Sequence, residues 1–284
     1  MSLLERIEDC RRWDPEAYLP FVIAGRQFGR VTHSFAARLA DFPGVFEVGP
    51  RAVLLRDRLK TSDERSAAVR EVLLRLRECG EIAIWRDEDY PVAHCWGETP
   101  VMVMERGAVP HFGVRAFGVH MNGLVDGPEG LLLWVGHRSL SKPTGPGKLD
   151  HLVAGGQPHG ISIRENLIKE CAEEADIPRA LAETAEPVGL ISYICARPEG
   201  LRDDVCFVYD LFLPADFQPV NTDGEVQAFY LWPIEKAMEV IAAGEDFKFN
   251  CALVIIDLLV RRGLLNPDAP DYEAIVHGLR LPPA

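Results

Sequence analysis

Ala154-Gly-Gly-Gln-Pro-His-Gly-Ile-Ser-Ile-Arg-Glu-Asn-Leu-Ile-Lys-Glu-Cys-Ala-Glu-Glu-Ala-Asp-Ile-Pro178 is the stretch on which the fold turns. It reads as the end of a strand, a glycine loop and a helix. Ser162 with Glu165 three residues later predicts a capping box, each side chain covering the other's free backbone amide. Pro178 marks the stop. Inside the helix Leu167, Ile168, Cys171, Ala172 and Ala175 share one face and are expected to pack inward. Glu170, Glu173 and Glu174 fall on a different face at spacings i, i+3 and i+4. Like charges so placed repel by about 0.2–0.5 kcal/mol per pair unless something compensates them. Mg²⁺ would, since it takes one or two carboxylates together with waters and substrate phosphate oxygens. A solvated acidic face is the competing reading, because charge runs usually lie on surfaces. Gly155, Gly156 and Gly160 shift the balance toward a site. They let the backbone approach a ligand closely, directly before a helix N-terminus that favours anions.

Working outward, residues 115–121 and 131–135 read as strands joined by a turn at 126–130, and a Gly/Pro-rich loop at 141–147 follows. A short strand is expected at 151–154, then the helix at 163–176. Strands are expected at 187–194, 205–213 and 226–231, and closing helices at 234–243 and 250–262. Toward the N-terminus the pattern is a small α+β unit. It has helices at 3–13, 34–42 and 62–79, hairpins at 21–31 and 45–55, and a strand at 81–85. The pattern breaks at Gly107 and Pro110, so the expected division is an accessory domain at 1–110 and a second domain at 111–284. The fold class is α/β in the mixed α+β sense, a mixed sheet covered by helices on both faces.

The bulk properties exclude several functions. The formal net charge is −13 over 284 residues, which repels polyphosphate backbones, so no nucleic-acid partner is expected. The longest apolar run, 251–260, is interrupted by Asp257 and too short to span a bilayer, and 1–13 has no signal-peptide core. Cys10, Cys79, Cys95, Cys171, Cys195, Cys206 and Cys251 are odd in number and lack a Cys-x-x-Cys pair. They read as reduced thiols of a cytoplasmic protein.

The box at 155–177 resembles that of the Nudix hydrolase family, Gly-x5-Glu-x7-Arg-Glu-apolar-x-Glu-Glu-x-Gly-apolar. Gly155 begins it and Lys169-Glu-Cys-Ala-Glu-Glu-Ala-Asp-Ile177 completes it. The resemblance implies Glu170, Glu173 and Glu174 as metal ligands, Glu174 also as a candidate base, and a mixed sheet between helices. Two box positions depart: its glutamate is Ile161 and its arginine is Lys169, side chains that help orient the catalytic glutamates in the family. The position usually glycine is Asp176, which tolerates the left-handed conformation better than most residues. Residues 112–123, 148–156 and 166–171, with 80–88 and 105–108, resemble a Nudix subgroup having its own N-terminal domain. That subgroup is related to the Nudix portion of fungal thiamin pyrophosphokinase-fusion proteins. The implied activity is hydrolysis of thiamin diphosphate, or its oxo and oxy forms, to the monophosphate.

The chemistry so expected is attack of water on one phosphorus of a small-molecule diphosphate, with Mg²⁺ as cofactor and Mn²⁺ as the alternative ion. Glu225, in Asp223-Gly-Glu-Val226, is a candidate extra ligand or base, although Asp-Gly-Glu is also an ordinary turn. Arg138, Lys142 and Lys148 precede the box and could meet the diphosphate, with Gly155, Gly156 and Lys169 completing the binding set; loop lysines are also commonly just solvated. Trp134 and Tyr193 could stack a heterocycle or pack in the core. His120 and His151 lie in expected strands and read as structural. Arg86, Asp87, Glu88 and Tyr90 form a polar turn that could cap the pocket or simply be solvated. A homodimer is open. Two other functions compete: a non-catalytic sensor of a nucleotide or vitamin diphosphate, and an isoprenoid-diphosphate isomerase. The latter needs an Asn-Thr-Cys-type cysteine, and none of the seven has that context.

Overall fold

The structure, a computed structural model, describes residues 2–142 and 144–280. Helix α1 (Leu3–Asp9) opens the chain under a capping box formed by Ser2 and Glu5. Strands β1 (Tyr18–Ile23) and β2 (Arg26–Thr32) form a hairpin, and α2 (His33–Leu39) follows. Next come β3 (Phe46–Val48) and β4 (Val53–Leu55), then α3 (Ser62–Glu78), β5 (Asp89–Val92), β6 (Met102–Glu105) and α4 (Val109–Phe112). The first four strands make one sheet in the order β2-β1-β4-β3, and β5 pairs with β6 apart from it. Their core gathers Phe21, Phe46 and Phe112 with Val69, Val72, Leu73 and Leu76 of α3. Those four are the stripe legible in the sequence, and each buried side chain contributes roughly 1.5–3 kcal/mol.

Helix α3 begins at Ser62 and is capped by Thr61 in a box with Glu64. Two expectations change here. Residues 81–85 form no strand. Ile82 enters the core while Trp85 lies under Arg70 and Arg77, and the segment does not pair with a neighbouring strand. Helix α1 packs away from this unit: Ile7 and Cys10 join the core built by the C-terminal helices.

The larger sheet is built from β7 (Arg115–Gly127), β8 (Gly130–Arg138), β9 (Leu149–His151), β10 (Val153–Gly156), β11 (Glu186–Arg197), β12 (Gly200–Phe212) and β13 (Val226–Pro233). Its order is β11-β12-β7-β8-β13; β7 and β12 run parallel and their other neighbours antiparallel. Strands β7 and β8 pair only over Gly123–Gly127 against Gly130–Trp134. Beyond that they part, and the fork is filled by β10 on β7 and β9 on β8. The single strand expected at 151–154 is therefore two, broken at Leu152, whose side chain a Cβ on Gly123 would strike at 2.3 Å. The fork carries the glycine loop into the middle of the sheet.

Helix α5 (Ile163–Ala175), followed by the short α6 (Arg179–Ala182), covers one face through Leu167, Ile168, Cys171 and Ala175. Helices α7 (Ile234–Ala243), α8 (Phe249–Arg261) and α9 (Tyr272–Gly278), with α1, cover the other. The result is the expected mixed sheet between helices. Ala172 departs from its expected inward place and is exposed. Among the described residues no helix is long and apolar enough to cross a membrane.

Candidate active site

The glycine loop and α5 are locked together by polar side chains that the box pattern does not advertise. Asn166, fully buried, donates to the Gly156 carbonyl at 2.8 Å, and Gln157, also buried, donates to the Ile161 carbonyl at 2.8 Å. Ser162 caps the helix by accepting from the Glu165 amide at 3.2 Å. The reciprocal half of the expected box does not form, because the Glu165 carboxylate turns outward to Arg179 at 2.5 Å. An ion pair to a guanidinium displaces the weaker bond to a neutral amide. At the other end Asp176 takes the left-handed conformation, φ 52°, as the sequence suggested.

The carboxylates of α5 do not present a uniform acidic face. Glu174 is only 6% exposed and accepts from the Ala154 amide at 2.8 Å. Burial first, then the neighbouring Glu170, pushes its carboxyl up to about 8. Glu170 is largely covered and its carboxyl is also raised by burial, against the opposing pull of Lys169. Glu173 stays exposed. Lys169 spans the pair, 3.4 Å from Glu170 and 2.8 Å from Glu173. Gly155 makes this packing possible, since a Cβ there would lie 2.3 Å from the Glu170 carboxyl carbon.

Residues 221–225 close over the helix. The Thr222 hydroxyl donates to the Glu173 carbonyl at 2.6 Å, and Glu225 forms an ion pair with Lys142. Burial lowers Lys142 to about 8, and Glu174 is the strongest influence opposing that fall. Asp223 is raised by burial while feeling both Lys142 and Lys169. Glu170, Glu173, Glu174, Glu225, Lys142 and Lys169 thus belong to one constellation. Its four carboxylates offer the oxygen donors that a hard cation such as Mg²⁺ or Mn²⁺ takes, with Lys142 and Lys169 paired to three of them.

Arg138 and Lys148 are held elsewhere. Arg138 is buried and bonded to Asp150 at 2.5 Å and to the carbonyls of Thr144 and Gly145. It clamps the 139–148 loop from inside. Lys148 donates to the Glu245 carbonyl. Trp134 lies in the core.

A polar cleft of ≈ 580 Å³, its open mouth included, opens at the glycine loop. Gly155 and Gly156 form one edge; Arg202, Asp204, Lys248 and Asn250 line it, with Phe117 and Tyr193 as aromatic walls. Tyr90 and Arg106 enter it from the N-terminal unit. Of these, sequence reading had marked Tyr90 and Tyr193 but missed Arg106, Arg202 and Lys248. Nothing local flags them, because each comes from a different element distant in the chain.

Beside the cleft His120, Asp150, His151 and Cys251 bring their donor atoms within 4.8 Å of one another. The two histidine Nδ1 atoms lie 3.2 Å apart, and the Cys251 thiol donates to Asp150 at 2.6 Å. Burial lowers both imidazoles, His151 to about 4, and raises the thiol. Burial would raise the Asp150 carboxyl as well, but Lys248 and Arg138 overcome it and hold the group far below the usual range. Those two cations lie 3.7 and 2.5 Å from Asp150 and oppose a dication there. The four side chains form a buried, self-paired network.

A glycine loop delivered by a forked mixed sheet to a carboxylate-bearing helix, beside a cationic cleft, defines a hydrolase of diphosphates. Known proteins agree. A family model described as a domain of unknown function (DUF4743) matches residues 2–116. Over 283 residues the chain is 42% identical to Nudix hydrolase 24, chloroplastic, of Arabidopsis thaliana, covering 98% of this chain and 78% of that protein. It is 42% identical over 290 residues to Nudix hydrolase 20, chloroplastic, of the same plant, with the same coverage of 98% and 78%. Among solved structures, DR0079 from Deinococcus radiodurans aligns with 52% of this chain and 82% of its own at 25% identity and a TM-score of 0.40. The chain belongs to the Nudix hydrolase family.

Proposed function

We propose that the protein hydrolyses a small-molecule diphosphate with Mg²⁺, or Mn²⁺, as cofactor, and that thiamin diphosphate or its oxidised oxo and oxy forms, cut to the monophosphate, are its substrates. The observation that carries this is Glu174, buried against the Ala154 amide, with Glu170 packed against Gly155, a residue that also lines the cleft containing Arg106, Arg202 and Lys248. Aromatic walls with Asp204 and Asn250 between them offer the stacking and hydrogen bonding that a nitrogen heterocycle uses. Residues 1–110 serve as the accessory domain and 111–284 as the hydrolase domain. Seven free thiols suit a reducing compartment such as the cytoplasm.

Glu170, Glu173 and Glu174 would hold the metal, which when bound would neutralise charge at the phosphate oxygens and lower the pKa of water. Glu174 is fixed by the Ala154 amide, so its carboxylate needs no reorganisation as charge develops. Glu225, steered by Lys142, takes the proton of the attacking water, with Glu174 the other candidate. The new bond is water oxygen to phosphorus; the bond that breaks joins that phosphorus to the bridging oxygen, and a phosphate leaves. Lys142 and Lys169 balance the site's negative charge.

The test is product formation with and without Mg²⁺ or Mn²⁺, against Glu174→Gln: phosphate released from thiamin diphosphate, its oxo and oxy forms and nucleoside diphosphates, and the paired phosphomonoesters released from ADP-ribose and NADH. Metal-dependent release that collapses in the variant is expected, with the thiamin compounds ranked first. Tight binding without turnover by folded protein under both metals would replace this reading with that of a diphosphate sensor.

A further inference from the structure

The N-terminal unit reaches the reaction site through two short segments, around Tyr90 and around Arg106. Asp89 accepts from the His159 amide of the glycine loop at 2.8 Å, joining β5 to the box. On the same strand Tyr90 is buried, its hydroxyl so close to Gly156 that a Cβ there would lie 1.6 Å from it. The same Cβ would lie 3.0 Å from the Arg106 guanidinium carbon, so Gly156 is the notch into which both side chains fit.

Arg106 is held with unusual care for a residue at a cleft edge. Its amide donates to the Glu88 carbonyl at 2.8 Å. The neighbouring Glu105 carboxylate, buried, accepts from the amides of Arg86 at 2.7 Å and Gly107 at 3.1 Å, fixing the turn. The guanidinium contacts the Glu88 carboxylate at 2.7 Å and lies over the Tyr90 ring, 5.5 Å from its centroid. Yet 39% of the side chain stays accessible, and it lines the cleft with Gly155 and Gly156. An arginine with a fixed backbone, one carboxylate partner and free donors at a cleft wall is a preorganised fork for a second anion.

We infer that Arg106, supported by Glu88 and Tyr90, binds the substrate's diphosphate, so that the N-terminal unit supplies one wall of the active site. This rests on the diphosphate-hydrolase reading and adds to it the residue that positions the phosphates. Arg138 and Lys148, which the sequence offered for that task, have their donors committed internally.

Inorganic pyrophosphate is the probe, titrated calorimetrically into the full chain with and without Mg²⁺, alongside KM and kcat for the best substrate of the panel above. Arg106→Gln is expected to weaken pyrophosphate binding and raise KM by roughly tenfold to a hundredfold, with kcat changed less. Arg106→Lys, which keeps the charge and loses the fork, is expected to fall between the two. Glu88→Gln is the discriminating variant. It breaks the same ion pair while leaving the guanidinium in place, so pyrophosphate binding should be weakened far less than by Arg106→Gln. Equal weakening by Glu88→Gln and Arg106→Gln would show that the pair merely holds the loop and would overturn the inference. Unaltered affinity and KM in both Arg106 variants, or no pyrophosphate binding by the unaltered protein, would overturn it as well. Pyrophosphate binding that depends on Arg106 without turnover of any diphosphate would leave the inference standing and remove the hydrolase reading.

Discussion

Replacing Glu174 with Gln in metal-free protein should stabilise it near neutral pH, although the residue is central to the site. The Glu174 carboxyl is moved from its ordinary 4.5 to about 8, chiefly by burial and then by Glu170. A carboxyl with a raised folded-state pKa binds its proton more tightly in the folded than in the unfolded chain. Its contribution is therefore full below pH 4.5 and is lost as pH rises toward 8. From 4.5 to pH 7, at about 1.4 kcal/mol per pH unit, the loss reaches up to about 3 kcal/mol. Gln has the same shape and its carbonyl can still accept from the Ala154 amide, but it never needs to ionise. Urea denaturation in EDTA from pH 4.5 to 8 should show Glu174→Gln no more stable than the unaltered protein at the acid end. By pH 7 it should be more stable by up to about 3 kcal/mol. Mg²⁺ should then stabilise the unaltered protein more than the variant. A variant that is equally or less stable at pH 7 in EDTA, or whose advantage does not change with pH, would refute the reasoning.

Gly155→Ala should leave the fold intact while displacing the Glu170 carboxylate that the new Cβ would meet at 2.3 Å. Metal affinity, read by calorimetry, should fall about 10- to 100-fold, as it does when support around a metal ligand is disturbed. Asp176→Gly should raise stability by up to about 1 kcal/mol, since φ 52° costs a non-glycine residue and glycine nothing; thermal unfolding would detect it. Asp210→Ala should cost about 3–5 kcal/mol in denaturant. It leaves Arg261, 2.8 Å away, Arg262 at 3.4 Å and the buried Asn122 amide at 2.9 Å without their shared acceptor.

Much of this protein was legible because local rules and tertiary packing agree. The helix at 163–175, its Ser162 cap and its left-handed Asp176 depend on nearest neighbours and periodicity, both written in the chain. The hairpins at 21–31 and 45–55, the stripe of α3 and the alternation of helix and strand follow for the same reason. The resemblance at 155–177 selected the family, because the spacing of Glu170, Glu173 and Glu174 is set by one helix and is written in the chain.

What the chain does not reveal is which side of a helix a carboxylate serves and where an arginine spends its donors. Glu173 and Glu174 are adjacent, yet one is solvated and the other buried, a difference made by β10 lying across the helix. Arg138 and Arg106 look alike in sequence, but Asp150 and the loop carbonyls claim the first, whereas the second keeps part of its guanidinium free at the cleft. The strand expected at 81–85 failed on the same ground: a strand exists only where a neighbouring backbone accepts its hydrogen bonds. The pairing of α1 with α8 and α9, and the entry of Tyr90 and Arg106 beside Gly156, join residues far apart along the chain. Local propensity carries no record of such contacts. They are decided by which apolar faces can be buried together, and that choice exists only once the whole chain has folded.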